Sequence, residues 1–507
     1  MNLSGKLLNA SVIAVFIIGW LACGGVAGNH PAQQTTPSTE LTQADVTSVV
    51  EAAAASVADP LVIAVVNRSG SVLAVYQKPG APPTSLGNFG AVVPSTELAV
   101  ALARTAAFFS NDQAPLSSRT VRYISGIHFP PGVAFTGNAA LYGIENTNRG
   151  CTLSTNFSQP IPPATLINST SPGLGIITGK VDVMDSDQSA VNPGGVPLFK
   201  NNHAVGGVGV VGSSPAITEY AAFTGAAGAG FGPNVPQPGA VNINGITLPF
   251  VLQTSLPAGA TAGSANGTFL NGPIASPAPV PDGYLVAPHA GPLGGLTVDE
   301  VTSIVNNAIA TANQTRAVIR LPVGQRARMV IAVADLDGTL LALNRMPDAT
   351  VFSIDVAASK ARNMTYFDSA QVNPADLPGV PPGTANTNRT ISFGAQPFYP
   401  PGIDGSQPGP FFQLYVNDVA HPCTQGSQAL SPEKQSGIVF FPGSVGLYRN
   451  GVLVGGLGVS GDGVDQDDFV TNGGAQGFEP PASMRADQVV DRGVRLPYLK
   501  FPRNPTQ

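Results

Sequence analysis

The sequence is poor in charge, cysteine, histidine and tryptophan. Charged residues make up 11% of its 507 residues, against roughly 25% in an ordinary soluble protein. The net charge is −6, with no basic stripe and no interleaving of aromatic and basic residues, which excludes a nucleic-acid partner. There is no Gly-X-Ser-X-Gly and no His-Glu-X-X-His. Gly194-Gly195 and Gly206-Gly207 are not followed by the Lys-Ser/Thr of a phosphate loop. No catalytic residue is assigned on this basis. Of the three cysteines, Cys23 lies in the N-terminal segment, leaving Cys151 and Cys423. Two cysteines do not make a metal site, and any metal is unknown.

Glycine and proline are abundant instead, at 59 and 47 residues. With 43% hydrophobic residues the chain can still bury substantial cores, so Gly and Pro are expected in turns and long loops. The length suits two domains. Lys6 precedes an apolar stretch from Leu7 to Ala22 that ends in Trp20-Leu21-Ala22-Cys23-Gly24. This is shorter than a membrane span and fits an export signal over residues 1–23. The Ala-Cys-Gly ending resembles a lipobox with Cys23 as the lipidated residue, although Trp20 stands where Leu is usual. Lipidation, ordinary secretion and a retained anchor all remain open. The expected location is periplasmic or at the cell surface, with membrane contact only through a lipid anchor and residues 24–40 as a tether.

The strongest internal signal is a repeat with a period near 250 residues. Ile63-Ala64-Val65-Val66 returns as Ile331-Ala332-Val333-Ala334, and Glu97–Phe109 aligns without gaps on Asp355–Phe367. Phe129-Pro130-Pro131-Gly132 matches Tyr399-Pro400-Pro401-Gly402, and Pro193–Gly212 matches Pro442–Gly461. One large unit repeated once is a duplication, not a solenoid. Each copy reads helix, hairpin, helix, hairpin, helix. Thr42 with Asp45, and Thr297 with Glu300, have the spacing of a capping box. Asp337-Gly338 and Asn450-Gly451 are hairpin turns. The predicted fold is α/β (α+β): two tandem three-layer domains, each an antiparallel sheet flanked by helices. Domain 1 spans 41–255 with an insertion at about 133–192. A Pro/Gly-rich linker spans 256–295. Domain 2 spans 296–507 with an insertion at about 403–437. Cys151 and Cys423 fall in corresponding insertions, so a bridge between the halves and two separate thiols are both open. Repeated glycine in Val205-Gly206-Gly207-Val208-Gly209-Val210 implies close approach of a helix, another subunit or a ligand.

The second copy resembles the GlcG/HbpS family. It carries Ile331–Gly338, then Ala357-Ala358-Ser359-Lys360-Ala361, then Gly455-Gly456-Leu457-Gly458-Val459-Ser460-Gly461 followed by acidic residues. The first copy keeps the frame but has Leu102 for Lys360, and Ser213, Ala216 and Thr218 for Asp462, Asp465 and Asp467. Only Glu219 stays acidic, opposite Asp468. The resemblance implies three-layer domains that pair into dimers or rings, and haem or another small ligand. The two copies would then form an intramolecular pseudo-dimer, open to further oligomerisation. Fold-level analogy does not deliver function by itself.

The candidate ligand-binding residues are Lys360, Asp462, Asp465, Asp467 and Asp468. The aspartates equally suit a helix start, and a buried Lys360 equally suits a structural ion pair. For haem iron the axial candidates are His128, Tyr399 and His421. None is shared by both copies, which argues against two equivalent haem sites. The leading expectation is an exported protein binding haem or a related planar ligand, with the second copy as the ligand-competent half. An enzyme of haem degradation or small-acid chemistry, and a structural protein without a small ligand, are the alternatives.

Overall fold

The computed structural model of the chain describes residues 40–87, 92–124, 151, 192–234, 241–243, 246–277, 281–401, 403, 406–421, 423–428 and 432–507. Cys23, His128 and most of the first insertion lie outside the described residues. The first repeat runs α1 (Gln43–Ser56), β1 (Val62–Asn67), β2 (Val72–Gln77), β3 (Thr84–Leu86), β4 (Val92–Pro94), α2 (Ser95–Phe109), α3 (Ser118–Ile124), β5 (Gly195–Lys200), β6 (His203–Val211), α4 (Pro215–Gly228), β7 (Asn242–Ile243) and β8 (Ile246–Thr247). Two short strands follow in the stretch expected as linker, β9 (Thr268–Asn271) and β10 (Gly283–Val286). The second repeat runs α5 (Val298–Gln314), β11 (Val330–Ala334), β12 (Leu340–Arg345), α6 (Ser353–Phe367), α7 (Asn388–Gly394), α8 (Phe412–Ala420), β13 (Ser444–Arg449), β14 (Val452–Ser460), α9 (Val464–Gly474), β15 (Val490–Asp491) and β16 (Val494–Arg495).

Both long first helices start where the sequence predicts. Thr42 accepts from the Asp45 amide at 3.2 Å while the Asp45 carboxylate accepts from the Thr42 amide at 2.8 Å. Thr297 and Glu300 repeat the arrangement. These reciprocal bonds satisfy amides that have no partner within the helix. The hairpin turns use left-handed backbone at Asn201, Asn202, Asn450 and Gly451, the conformation a two-residue turn demands.

The sheets have matching order, β5-β6-β1-β2-β9 and β13-β14-β11-β12-β10, with antiparallel pairing throughout. The chain between the repeats therefore supplies one edge strand to each sheet. Every residue of β1 is buried, and successive side chains point to opposite faces. Ile63 and Val65 join the core under α1 and α4, and Val62, Ala64 and Val66 join the core under α2. Helices thus cover both faces of each sheet, giving two α+β units of three layers.

The strand glycines answer to the helix. A Cβ on Gly207 would fall 2.2 Å from the Ala103 carbonyl oxygen, and one on Gly458 would fall 2.2 Å from that of Ala357. Helices α2 and α6 lie so close to their sheets that only hydrogen fits at the contact.

The two repeats also pack on each other. Phe109 stacks on Phe352 with centroids 3.9 Å apart, and the Val351 amide donates to the Phe108 carbonyl at 3.1 Å. Arg320 reaches from the second repeat to Gln113 of the first at 3.4 Å.

Candidate functional site

The residues singled out in the second repeat converge beneath β14 and the start of α9. Lys360 projects from α6 and is fully buried. Its Nζ donates to Asp467 at 3.0 Å and to the Val459 carbonyl at 2.7 Å, and lies 4.6 Å from the Phe441 ring centre. Gly443 makes this possible, since a Cβ there would sit 2.7 Å from Nζ. Burial pushes the Asp467 carboxyl up to about 7 against the opposing pull of Lys360, and the same burial lowers the Lys360 ammonium.

The other three aspartates are spoken for by arginines. Arg389 on α7 donates to Asp468 at 2.5 Å and to Asp465 at 2.7 Å. Lys500 pairs with Asp465 at 3.0 Å. Asp462 accepts from Arg320 and, at 2.8 Å, from the Arg328 amide, and Arg320 in turn holds Asp348 at 2.7 Å. Burial raises the carboxyls of Asp462 and Asp468 too. The structure therefore joins Lys360 to Asp467 and links Asp465 with Asp468 through Arg389, while Asp462 belongs to a separate arginine. A ligand at this place would have to displace an existing ion pair.

The first repeat has a matching pair that sequence reasoning missed. Arg119 on α3 donates to Glu219 at 2.7 and 3.0 Å, the counterpart of Arg389 and Asp468. The signal was legible, because Ser117-Ser118-Arg119-Thr120-Val121 parallels Thr387-Asn388-Arg389-Thr390-Ile391. Both blocks clamp the returning C-terminal segment of their repeat. Thr120 donates to the Pro249 carbonyl at 2.9 Å and Thr390 to that of Pro497 at 2.7 Å. Ser117 donates to the Phe250 carbonyl, and Thr387 to that of Tyr498 at 2.7 Å. The carboxylates finish the clamp: Glu219 accepts from the amides of Leu252 and Gln253 at 3.2 and 3.3 Å, and Asp468 from that of Lys500 at 3.0 Å. Arg104 and Arg362 were missed too, although the gapless alignment of Glu97–Phe109 on Asp355–Phe367 sets them at matching positions. Each is buried and donates to a hairpin-turn carbonyl at 2.8 Å, that of Gly70 and of Gly338.

The axial candidates are scattered. Tyr399 is buried, its hydroxyl donates to the Asp491 carbonyl at 3.4 Å, and Arg492 lies 4.6 Å from its ring centre. Burial raises its phenol, which disfavours the phenolate that would bind iron. His421 caps the end of α8 and is exposed. Cys151 and Cys423 are joined by a disulfide, with Cα atoms 5.4 Å apart.

A cleft opens on the first repeat, between the end of α4 and the clamped return segment. Its volume is about 770 Å³, and its walls include Phe223, Ala227, Asn234, Pro249, Phe250 and Leu252. Among the described residues, no charged side chain lines it.

Residues 296–476 match a family model described as "Haem degrading protein HbpS-like". The chain is 28% identical over 153 residues to the corrinoid adenosyltransferase PduO of Salmonella typhimurium, covering 30% of this chain and 33% of that protein. It thus spans a third of that relative's length. Among solved structures it resembles a PduOC:heme complex at 23% identity, covering 36% of this chain and 93% of that one, with a TM-score of 0.24. It also resembles the Klebsiella pneumoniae protein ORFY at 19% identity, covering 36% and 89%, with a TM-score of 0.24. Streptomyces reticuli HbpS, as a double mutant, is 20% identical, covering 41% and 99%, with a TM-score of 0.20.

Proposed function

We propose, from the match of residues 296–476 to the HbpS-like family model, that the chain is an exported two-domain protein that binds a small ligand, haem or a related planar molecule. The observation that carries this reading is the repetition of one architecture. The sheet order and the arginine–carboxylate clamp of the HbpS-like half recur in the other half. Haem is the first ligand to try, because the family model that the second repeat matches is one of haem-degrading, HbpS-like proteins.

The described axial candidates do not fit iron. Tyr399 is engaged and disfavoured as phenolate, and His421 stands exposed at a helix end. His128 lies outside the described residues.

Export is part of the proposal. It rests on the apolar run from Leu7 to Ala22 and on the Cys151–Cys423 disulfide, a bond that persists in oxidising compartments. Lipidation at Cys23 predicts partition into the detergent phase, lost in Cys23→Ala.

The test of binding is a haemin titration of the chain lacking residues 1–23, followed in the Soret region. The expected result is a saturable shift. No shift beyond that given by an unrelated acidic protein removes haem as the ligand. Loss of the shift in His128→Ala would place the iron on His128; retention would mean binding through the macrocycle.

A further inference from the structure

We infer that the first repeat carries the ligand cleft, and that this cleft takes an uncharged, largely apolar molecule. The inference deepens the small-ligand reading and rests on it. Four observations lead there. First, about 770 Å³ falls within the roughly 300–1,000 Å³ of small-ligand sites. Second, the lining is aromatic and aliphatic, with Phe223 and Ala227 on one wall and Phe250 and Leu252 on the other. Leu252 is 54% exposed, and covering it with an apolar ligand is favourable.

Third, the wall is held before any ligand arrives. Ser117, Thr120 and Glu219 fix the backbone from Pro249 to Gln253, and the Leu248 amide donates to the Val241 carbonyl at 2.8 Å. A preorganised wall loses little entropy on binding. Fourth, among the described residues no charged side chain lines the cleft. Glu219 behind it is already paired with Arg119. A carboxylate or ammonium entering the cleft would give up water without gaining a partner, so only neutral hydrogen-bonding groups suit the Asn234 end.

The second repeat is built differently at the same place. Phe469 of α9 meets Phe501 of the return segment edge to face, with centroids 5.5 Å apart. The first repeat has Tyr220 and Gln253 at those positions, and the Gln253 side-chain amide instead donates to the Ser255 carbonyl. The two repeats thus differ at this place, the second closed by an aromatic pair and the first left as an open apolar cleft.

The experiment uses N-phenyl-1-naphthylamine, a flat neutral probe whose emission rises in apolar surroundings, titrated into the chain lacking residues 1–23. Ala227→Trp fills the cleft from an exposed helix position. Gln476→Trp makes the same change at the matching, exposed position of the second repeat. Saturable binding, weakened at least about tenfold by Ala227→Trp and unchanged by Gln476→Trp, is the expected result. Equal binding by Ala227→Trp and the parent overturns the site. Equally tight binding of the anionic 8-anilino-1-naphthalenesulfonate overturns the charge assignment. Haemin in the same variants separates the cleft from the small-ligand reading. Haemin, whose two propionates find no partner in the cleft, should bind equally to the parent and to Ala227→Trp; a parent that binds haemin but not the naphthylamine keeps the small-ligand reading and removes the cleft as a site. If neither probe nor haemin binds the parent, both readings fall. Thermal melts by circular dichroism check that each variant is folded.

Discussion

Replacing Lys360 by Met should destabilise the protein in a way that depends on pH. Lys360 and Asp467 are both buried, 3.0 Å apart. Removing one partner of such a pair costs about 3–5 kcal/mol, because the other charge is left without compensation. Asp467 has an escape, since burial already raises its carboxyl from 3.8 to about 7 with Lys360 present. Without Lys360 the lowering influence is gone and the carboxyl rises further. The folded state then keeps a proton that the unfolded chain releases above about pH 4. Stability must therefore fall as pH rises through this window. With the parent carboxyl at about 7, parent and variant both hold the proton at pH 5, so the Lys360→Met cost there should be about 1–2 kcal/mol, the scale of lost hydrogen bonding and packing. It should grow only above pH 7, by about 1.4 kcal/mol per pH unit, to about 2–3 kcal/mol at pH 8. Guanidinium unfolding followed by far-UV circular dichroism at both pH values measures it. The first repeat supplies the control, because it replaces both partners together with Leu102 and Thr218. The double variant Lys360→Leu/Asp467→Thr should lie within about 1 kcal/mol of the parent, since an apolar replacement of a buried pair is often neutral or better. A single-variant cost that is the same at both pH values refutes the protonation of Asp467. A double variant as unstable as the sum of its singles refutes the structural pairing.

Three further outcomes are expected. Gly207→Ala and Gly458→Ala should each cost about 3 kcal/mol or more in the same unfolding assay, because the new Cβ meets a helix carbonyl at 2.2 Å; a cost near zero would mean that α2 and α6 can lift off the sheets. Arg119→Met should cost about 3–5 kcal/mol by stranding Glu219 and should weaken naphthylamine binding by releasing the return segment, whereas unchanged affinity would separate the clamp from the cleft. Cys151→Ser opens a covalent loop of 272 residues and should cost about 2–5 kcal/mol, read as a lowered melting temperature that reductant reproduces in the parent and leaves unchanged in the variant.

Much of the fold was legible because its determinants are local or repeated. Thr42 with Asp45 and Thr297 with Glu300 are three residues apart, so the caps could be read directly, as could the turn at Asn450-Gly451. The apolar run Leu61–Val66 marked β1, whose residues are all buried. The edge strands β9 and β10 were not legible, because four residues of extended chain in a Pro/Gly-rich stretch carry no period of their own. They become strands only when β2 and β12 offer free hydrogen-bonding edges. The partners of the buried charges were hidden for a similar reason. Arg119 lies 100 residues from Glu219 and Arg389 lies 79 from Asp468, and no spacing rule spans such distances. The parallel between Ser117–Val121 and Thr387–Ile391 could have flagged both arginines.

The sequence by itself determined the duplication, the order of helices and hairpins, the caps, and the need of the strand glycines for a close neighbour, because each depends on residues near in sequence or on comparison of the two copies. Only the tertiary structure decided that this neighbour is a helix, that Lys360 and the four aspartates are held in ion pairs, and that the open cleft lies in the first repeat. Those outcomes depend on which side chains are excluded from water together, and burial is a property of the packed chain as a whole.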